Sequence, residues 1–306
     1  MFDLNTIEQM PLTREIKKLD NFQFTKPIRA IFSGSSQSGK TYLIGQILEN
    51  QEQIFGDKFS FIKYFYPTYL EESPVEYHTI TDTPVSYEPG FPQKEDILSL
   101  PENSLVIIDD QADVAVKSDL ISQLYKVISG KKNISVILVT QNYFIQGKHS
   151  RDIRNSCNYV ALFRNCADAL LNKRVATAFG LKEAYLAAER DIYQTQIYPY
   201  IFIDQTQKAQ LSNFRLYTEI LSEYKIAYSS TGMRGYILSE KDFDSAFRII
   251  ADKKLVVLAI NKHENTKRSI PESPAEKTIR EKGGKEEKKR RRKEKRHYGA
   301  VERDVH

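Results

Sequence analysis

The sequence predicts an α/β fold in which a mostly parallel β-sheet is covered by helices on both faces. Three observations lead to this prediction. Short apolar segments typical of strands alternate with segments of helical periodicity along most of the chain. A glycine-rich loop lies between the first predicted strand and the first predicted helix. The apolar run from Ser104 to Ile108 ends in two aspartates, which is typical of a buried parallel strand that brings carboxylates to one edge of the sheet.

The glycine-rich loop matches the phosphate-binding pattern G-x-x-x-x-G-K-[ST]. Its residues are Gly34, Ser35, Ser36, Gln37, Ser38, Gly39, Lys40 and Thr41. Glycine lets the backbone approach a phosphate closely, and N–H groups at a helix N-terminus attract an anion. We predict that Lys40 reaches the β- and γ-phosphates of ATP and that the Thr41 hydroxyl binds Mg²⁺. The alternative is a Gly/Ser-rich turn that happens to contain a lysine.

The two aspartates that follow the apolar run, Asp109 and Asp110, complete the pattern of a P-loop NTPase. We predict that Asp109 holds Mg²⁺ through water and that Asp110 polarises the attacking water. The second position is commonly glutamate in such enzymes, so the shorter Asp110 side chain is a departure from the pattern. The alternative is a strand that is followed by an Asx turn.

Polar and basic residues follow the next predicted strand, which spans residues 134–140. Gln141 lies at the end of that strand, where its side chain could sense the γ-phosphate or orient the lytic water; simple strand termination is the alternative. Arg151 and Arg154 follow. Arginines in this position can act on the γ-phosphate of a neighbouring subunit in ring NTPases, and surface charge on a helix is the alternative.

The remaining segments complete the predicted α/β order. Further strands are predicted at residues 28–32, 59–65, 159–163, 200–204 and 214–218, the last as an edge hairpin with its predecessor. Helices are predicted at residues 41–48, 119–129 and 167–191, with a break at Gly180. Residues 66–100 contain five prolines and are predicted to be irregular, as a surface insertion or an arm toward a neighbouring subunit.

The chain divides into four predicted regions. They are an N-terminal lead-in at residues 1–24, a P-loop ATPase domain at 25–221, a small C-terminal appendix at 222–262 and a disordered basic tail at 263–306. The appendix is predicted to contain two strands around a helix at 241–250. The whole chain carries a formal net charge of +5, whereas the stretch 277–297 alone carries +8. Any DNA contact in the body must therefore be a local patch or a pore.

Composition argues against a membrane protein and leaves other functional classes open. No apolar run approaches the roughly 20 residues of a membrane span, so no membrane partner is expected. The basic run Lys288–Lys293 could be a nuclear localisation signal or a nucleic-acid tether, with a solubilising tail as the alternative. The two cysteines, Cys157 and Cys166, lack zinc-site spacing and are both predicted to be buried free thiols.

The order of these motifs resembles the packaging ATPases of the FtsK–HerA superfamily, in the poxvirus-like branch with virophages, adintoviruses and Polinton/Maverick elements. The resemblance covers about residues 20–220. Besides the phosphate loop and the double acid, it is carried by Pro27–Arg29, Asn133–Asn142, Arg151–Asn155, Tyr198–Asp204 and Phe214–Arg215.

The resemblance implies a homo-oligomeric ring that pumps double-stranded DNA through a central channel into a preformed capsid. It also implies viral capsid vertex proteins as partners, Gln141 as the polar sensor, and a location in the host nucleus, a cytoplasmic virus factory or the virion. Similar proteins tend to carry an arginine just before the Asn-Ile-Ser strand, where this chain has Lys131 and Lys132. The residue that acts in trans therefore stays open between Lys131, Arg151 and Arg154.

Other functions fit the same core. A helicase or a chromosome-partition ATPase would use the same loop and acids. A slow nucleotide-binding switch or a capsid-associated scaffold protein would bind ATP without rapid turnover. A nucleotide or small-molecule kinase is disfavoured because no arginine-rich lid segment follows the core.

Overall fold

The computed structural model describes residues 22–166, 168–193, 195–207, 211, 213–222, 225–239 and 257–261 of the 306-residue chain. The predicted helix at 241–250, the basic tail and the first 21 residues lie outside these ranges. Within them, no helix combines the length and apolar character needed to cross a bilayer.

The described strands form one eleven-stranded sheet in the order β11-β10-β9-β8-β7-β6-β1-β5-β4-β2-β3. The strands are β1 Arg29–Ser33, β2 Phe61–Tyr66, β3 Val85–Pro89, β4 Ser104–Asp109, β5 Ser135–Thr140, β6 Tyr159–Phe163, β7 Tyr200–Asp204, β8 Phe214–Tyr217, β9 Lys225–Ser229, β10 Arg234–Ser239 and β11 Val257–Asn261. The helices are α1 Lys40–Glu49, α2 Gln51–Phe55, α3 Lys94–Leu98, α4 Ala112–Ala115, α5 Asp119–Gln123, α6 Ser129–Lys132, α7 Ser150–Ser156, α8 Leu171–Ala178 and α9 Lys182–Ile192.

Strands β1 to β6 form the parallel half of the sheet, in the order β3-β2-β4-β5-β1-β6. Strand β5 lies between β1 and β4, so the strand that enters the phosphate loop and the strand that ends in Asp109 share one neighbour. The carboxyl ends of these three strands meet at one edge of the sheet, which is where open α/β sheets bind ligands.

Alternating side chains of the parallel strands enter two apolar clusters, one on each face of the sheet. On one face, Val136 and Leu138 belong to a cluster that includes residues of α5, α7, α8 and α9. On the other face, Ile137 and Val139 belong to a cluster that includes Leu43 of α1. Burial on both faces explains the uninterrupted apolar sequences of β4 and β5, and it confirms the predicted α/β sheet with helices on both sides.

Strands β7 to β10 form an antiparallel half beside β6. Strand β8 pairs with β7 as predicted, but β8 is not an edge strand because β9 pairs with its other side. Strands β9 and β10, which the sequence assigned to a C-terminal appendix, continue the sheet of the predicted ATPase domain. Local composition does not report this pairing, because it depends on long-range hydrogen bonds. The domain boundary at residue 221 stays a prediction.

The prediction that residues 66–100 are irregular is wrong. They include β3, which pairs in parallel with β2 along Val85 to Pro89, a short 3₁₀ turn at Tyr77–Thr79, and α3. Strand β3 lies at the edge of the described sheet and Pro89 at its end, which is a place where a missing backbone N–H is tolerated. The prolines therefore limit the strand without preventing it.

The helix predicted at 119–129 is present as α5, a π-helical turn at Leu124–Ile128 and α6, and it extends to Lys132. The expectation for the cysteines is only half correct. Cys157 is buried, with its thiol near the Arg29 and Tyr159 carbonyls, but Cys166 is exposed. The break predicted at Gly180 is present, with φ of 71° between α8 and α9.

Candidate nucleotide-binding site

The phosphate loop is hydrogen-bonded to β5, the strand that directly precedes Gln141. In the register of β1 and β5, Ser33 lies level with Thr140, and the Gly34 N–H donates to the Thr140 carbonyl at 3.1 Å. On the other side of β5, Asp109 lies level with Val139. The loop, Gln141 and the two acids therefore begin within two residues of each other along three adjacent strands.

Two glycines allow the loop its shape. Gly39 has φ of 97°, in the left-handed region that side chains disfavour. A β-carbon there would also lie 2.6 Å from the Tyr198 β-carbon. A β-carbon at Gly34 would lie 2.5 Å from the Phe163 β-carbon. The sequence motif is therefore required by close approach at both glycines.

The Lys40 ammonium group lies over the loop. Its Nζ donates to the Gly34 and Ser35 carbonyls, each at 2.7 Å. An ammonium group has three donors, so one remains for a phosphate oxygen. Burial lowers the Lys40 pKa, and the charges of Asp109 and Asp110 oppose that shift. The geometry places a cation between the loop and the acids.

Asp109 is held by a tyrosine on the neighbouring strand. The buried Tyr64 hydroxyl of β2 donates to Asp109 Oδ2 at 2.5 Å. Burial raises the Asp109 pKa and Asp110 adds to that shift, whereas Tyr64 and Lys40 oppose it. Burial and the Asp109 charge raise the Tyr64 pKa, so its hydroxyl stays protonated and remains a donor. Tyr64 thus fixes the orientation of one Asp109 oxygen.

Asp110 and Gln141 meet at the exposed end of the same edge. Gln141 Nε2 donates to Asp110 Oδ1 at 3.2 Å. Asp110 has φ of 48°, a left-handed conformation that aspartate tolerates better than most residues. This turn carries the carboxylate away from β4 to the side where Gln141 lies. The two residues predicted to act on water are therefore in contact with each other.

The residues at this edge suit Mg²⁺. Thr41 is exposed at the start of α1, and Asp109 supplies a carboxylate. No group of three or more His, Cys, Asp or Glu side chains in the described part of the chain could hold a metal by itself. Magnesium usually needs only one or two carboxylates together with substrate phosphates, so this donor set fits.

The candidate trans residues do not reach the loop within the subunit. The side chains of Lys131 and Arg151 are exposed and make no hydrogen bond or ion pair with any described residue. The Arg154 guanidinium lies near the Ile145 carbonyl at 3.5 Å and over the Phe144 ring. Lys131 lies in α6, four residues before the amino end of β5, whereas the loop lies at the carboxyl end of the sheet.

Tyrosines are the site residues that sequence analysis missed. Tyr64 contacts Asp109 only because β2 pairs with β4, and no local signal reports that register. Tyr198 contacts Gly39 and packs on Tyr42 with ring centroids 5.5 Å apart. Tyr42, which directly follows the loop motif, was the local feature of the sequence that could have pointed to tyrosines at this site.

Comparison with known proteins gives structural similarities only. No family model and no curated protein matches the chain. The genome packaging NTPase B204 of Sulfolobus turreted icosahedral virus 2, in complex with AMP, is similar at 15% identity over 59% of this chain and 96% of that chain, with a TM-score of 0.42. B204, the DNA-packaging ATPase of Sulfolobus turreted icosahedral virus, is similar at 16% identity over 57% and 91%, with a TM-score of 0.39.

A third similarity is to the Legionella pneumophila ATPase DotB, at 11% identity over 67% of this chain and 52% of that chain, with a TM-score of 0.33. These identities and TM-scores are too low to say what this chain does. The phosphate loop between β1 and α1, together with the parallel order of the strands around it, makes the described domain a P-loop NTPase fold.

Proposed function

We propose that this protein is a Mg²⁺-dependent ATPase that works as a ring and moves double-stranded DNA into a preformed viral capsid. The hydrolytic part is supported by one observation above all. The Lys40 ammonium, two carboxylates and the Gln141 amide converge at one sheet edge beside an anion-binding loop. Each group has a distinct role in phosphoryl transfer.

Each residue of the candidate site has its own role in ATP hydrolysis. The loop N–H groups and Lys40 would hold the triphosphate, and Thr41 and Asp109 would hold Mg²⁺, which would neutralise phosphate charge. Asp110 accepts a proton from the attacking water, and Gln141 orients that water through its amide. Because Gln141 already contacts Asp110, a single water molecule between them and the γ-phosphate can contact both side chains.

The ring is needed to complete the site. No arginine guanidinium contacts the loop or the two acids among the described residues, whereas Arg151 is exposed and unpaired there. An arginine supplied by a neighbouring subunit increases phosphoryl transfer by several orders of magnitude in related chemistry. We assign this role to Arg151 or Arg154, with Lys131 as the alternative.

The DNA-packaging part rests on the sequence resemblance of residues 20–220, carried mainly by Asn133–Asn142 and Arg151–Asn155. Contacts to DNA phosphates should dominate binding in a translocating channel, so affinity should fall steeply with salt. Capsid vertex proteins are the proposed docking partners, in the host nucleus, a cytoplasmic virus factory or the virion.

The test is ATP hydrolysis by the purified full chain, with and without linear double-stranded DNA. We expect turnover to rise with DNA and to be lost in Lys40→Ala and Asp110→Asn. Two exposed residues whose side chains make no described contact provide matched controls, Lys117→Ala and Asp113→Asn, which should keep wild-type turnover. Turnover that is unaffected by Lys40→Ala would refute this site as the hydrolytic centre.

A slow nucleotide-binding switch is the second candidate, and one observation favours it. Asp110 is already hydrogen-bonded to Gln141, and that contact restrains the carboxylate that must act on water. The switch predicts tight ATP binding with no increase in turnover on addition of DNA. A helicase on the same core instead predicts strand separation by the purified protein.

A further inference from the structure

Two exposed tyrosines lie directly against the phosphate loop. Tyr42 is 58% exposed and Tyr198 is 44% exposed, although large aromatic side chains are usually much more buried. Their ring centroids lie 5.5 Å apart, and the ring planes are inclined at 43° to each other, so a flat base can stack on only one of the two rings. Neither ring hydroxyl makes a hydrogen bond with a described residue.

The position of this pair is fixed by the loop itself. Tyr42 is in the first turn of α1, two residues after Lys40. Tyr198 comes from the segment before β7, and a β-carbon at Gly39 would lie 2.6 to 3.0 Å from three of its side-chain carbons. The two tyrosines therefore reach one flank of the loop from sequence positions 156 residues apart.

The Tyr198 segment is held at this level by the sheet. Phe163, at the end of β6, pairs with Tyr200, and the Arg164 N–H donates to the Pro199 carbonyl at 3.4 Å. The Ser35 hydroxyl donates to the Arg164 carbonyl at 3.4 Å, which links the same segment to the loop. The backbone that follows Tyr198 is thus held by β6, and β6 is linked to the loop.

We infer that the Tyr42–Tyr198 pair is the stacking platform for the nucleobase of a nucleoside triphosphate whose phosphates lie in the loop. This inference rests on the proposed function of the loop. A base attached to loop-bound phosphates has a flat π face, and exposed tyrosine rings beside the loop offer it a stacking surface. The platform recognises the aromatic base, whereas the loop recognises the phosphates.

The test compares ATP with inorganic triphosphate, which carries the phosphates without a base. Binding of each to the full chain is measured by calorimetry in the presence of Mg²⁺, for wild type, Tyr42→Leu and Tyr198→Leu. Leucine keeps apolar bulk against Gly39 but removes the aromatic face. Tyr69→Leu is the matched control, because Tyr69 is 74% exposed and makes no described contact with the loop.

We expect Tyr198→Leu to weaken ATP binding by about 5- to 150-fold, the range for loss of one aromatic stacking partner. Triphosphate affinity should change less than twofold in Tyr198→Leu, and both affinities should be unchanged in Tyr69→Leu. An equal loss for ATP and triphosphate would overturn the platform, because Tyr198 would then only support the loop. Unchanged ATP affinity in both platform variants would overturn it as well.

Failure of the proposed function gives a different result. If wild type binds neither ATP nor triphosphate, the loop is not a nucleotide site, and the platform fails with it. If wild type binds both ligands and Lys40→Ala binds neither, the loop is confirmed as the phosphate site. The stacking platform is then decided by whether the tyrosine variants lose affinity for ATP without losing affinity for triphosphate.

Discussion

The parallel and antiparallel halves of the sheet contrast in what lies at their edges. In the parallel half, β1, β4 and β5 end together and bring the phosphate loop, two carboxylates and Gln141 to one edge. In the antiparallel half, neighbouring strands run in opposite directions, so successive strand ends fall at opposite edges. Parallel strand order therefore brings candidate functional groups together at one edge of the sheet, whereas antiparallel order adds strands to the hydrophobic core.

The antiparallel half still has strong polar contacts of its own. The Tyr228 hydroxyl of β9 donates to Asp191 Oδ2 of α9 at 2.5 Å, and Arg234 of β10 lies 3.4 Å from the same carboxylate oxygen. This group joins a helix to two strands, and none of its members contacts the phosphate loop. A hydrogen bond of the same chemistry, from Tyr64 to Asp109, lies in the parallel half. The two halves can therefore be compared with matched substitutions.

The largest expected effect is confined to the parallel half. Asp110→Asn should reduce ATP turnover by about 10²- to 10⁴-fold, the usual contribution of a general base. The melting temperature should stay within about 2 °C of wild type, because Asp110 is exposed. Steady-state hydrolysis and thermal unfolding are the two measurements, with Asp113→Asn as the control. Full turnover in Asp110→Asn would show that the base lies elsewhere.

A buried Leu→Ala change in each half of the sheet should distinguish effects on folding stability from effects on ATP turnover. Leu138 of β5 and Leu216 of β8 are both buried in the same apolar cluster. Each Leu→Ala change should lower the free energy of unfolding by about 2–5 kcal/mol, as measured by urea denaturation. Leu138 lies level with Ile31 and Ile108 of the two site strands.

Only the Leu138 change should therefore also lower turnover per folded molecule, measured well below each melting temperature. Equal losses of turnover in Leu138→Ala and Leu216→Ala would show that the antiparallel half positions the site too.

The two tyrosine–carboxylate bonds give the sharpest comparison. Tyr64→Phe removes the donor that orients Asp109, so half-maximal hydrolysis should need about 10- to 100-fold more Mg²⁺. The Asp109 pKa should rise further, because Tyr64 lowers it, and the acid limb of activity should move to higher pH. Tyr66→Phe is the control on the same strand.

Tyr228→Phe should instead lower the free energy of unfolding by about 1–2 kcal/mol and leave the Mg²⁺ dependence unchanged. The measurements are Mg²⁺ titrations of turnover and denaturant unfolding for both variants. If Tyr228→Phe shifts the Mg²⁺ requirement, the separation between the two halves is wrong.

The smallest expected effect is on the free energy of unfolding, which the burial of the ionised Asp109 carboxylate lowers. Burial raises its folded pKa above the usual value of 3.8. Between the unfolded and the raised folded pKa, the folded chain binds more protons than the unfolded chain, so the free energy of unfolding falls as pH rises through that window. Asp109→Asn should therefore raise the melting temperature near neutral pH and leave it unchanged below the unfolded pKa, while turnover is lost.

Thermal unfolding of wild type and Asp109→Asn across pH 3 to 8 measures this effect. A lower melting temperature for the variant at pH 7 would contradict the assigned pKa direction.

The amino-acid sequence was enough to predict the candidate site of the parallel half. Gly34 to Thr41, Asp109, Asp110 and Gln141 were all identified from local motifs, because phosphate binding and buried parallel strands each require characteristic residues at fixed spacing. Their convergence follows from one rule, that the carboxyl ends of parallel strands share an edge. The contact of Gln141 with Asp110 agrees with that expectation.

The features that depend on strand register and long-range pairing became visible only in the folded chain. The tertiary structure placed β3 beside β2 despite the prolines, and it joined β9 and β10 to the sheet. It also brought Tyr64 to Asp109 and Tyr198 to Gly39. A tyrosine in a strand has the same local pattern whether it fills the core or supports a carboxylate, because the partner that distinguishes the two lies on another strand.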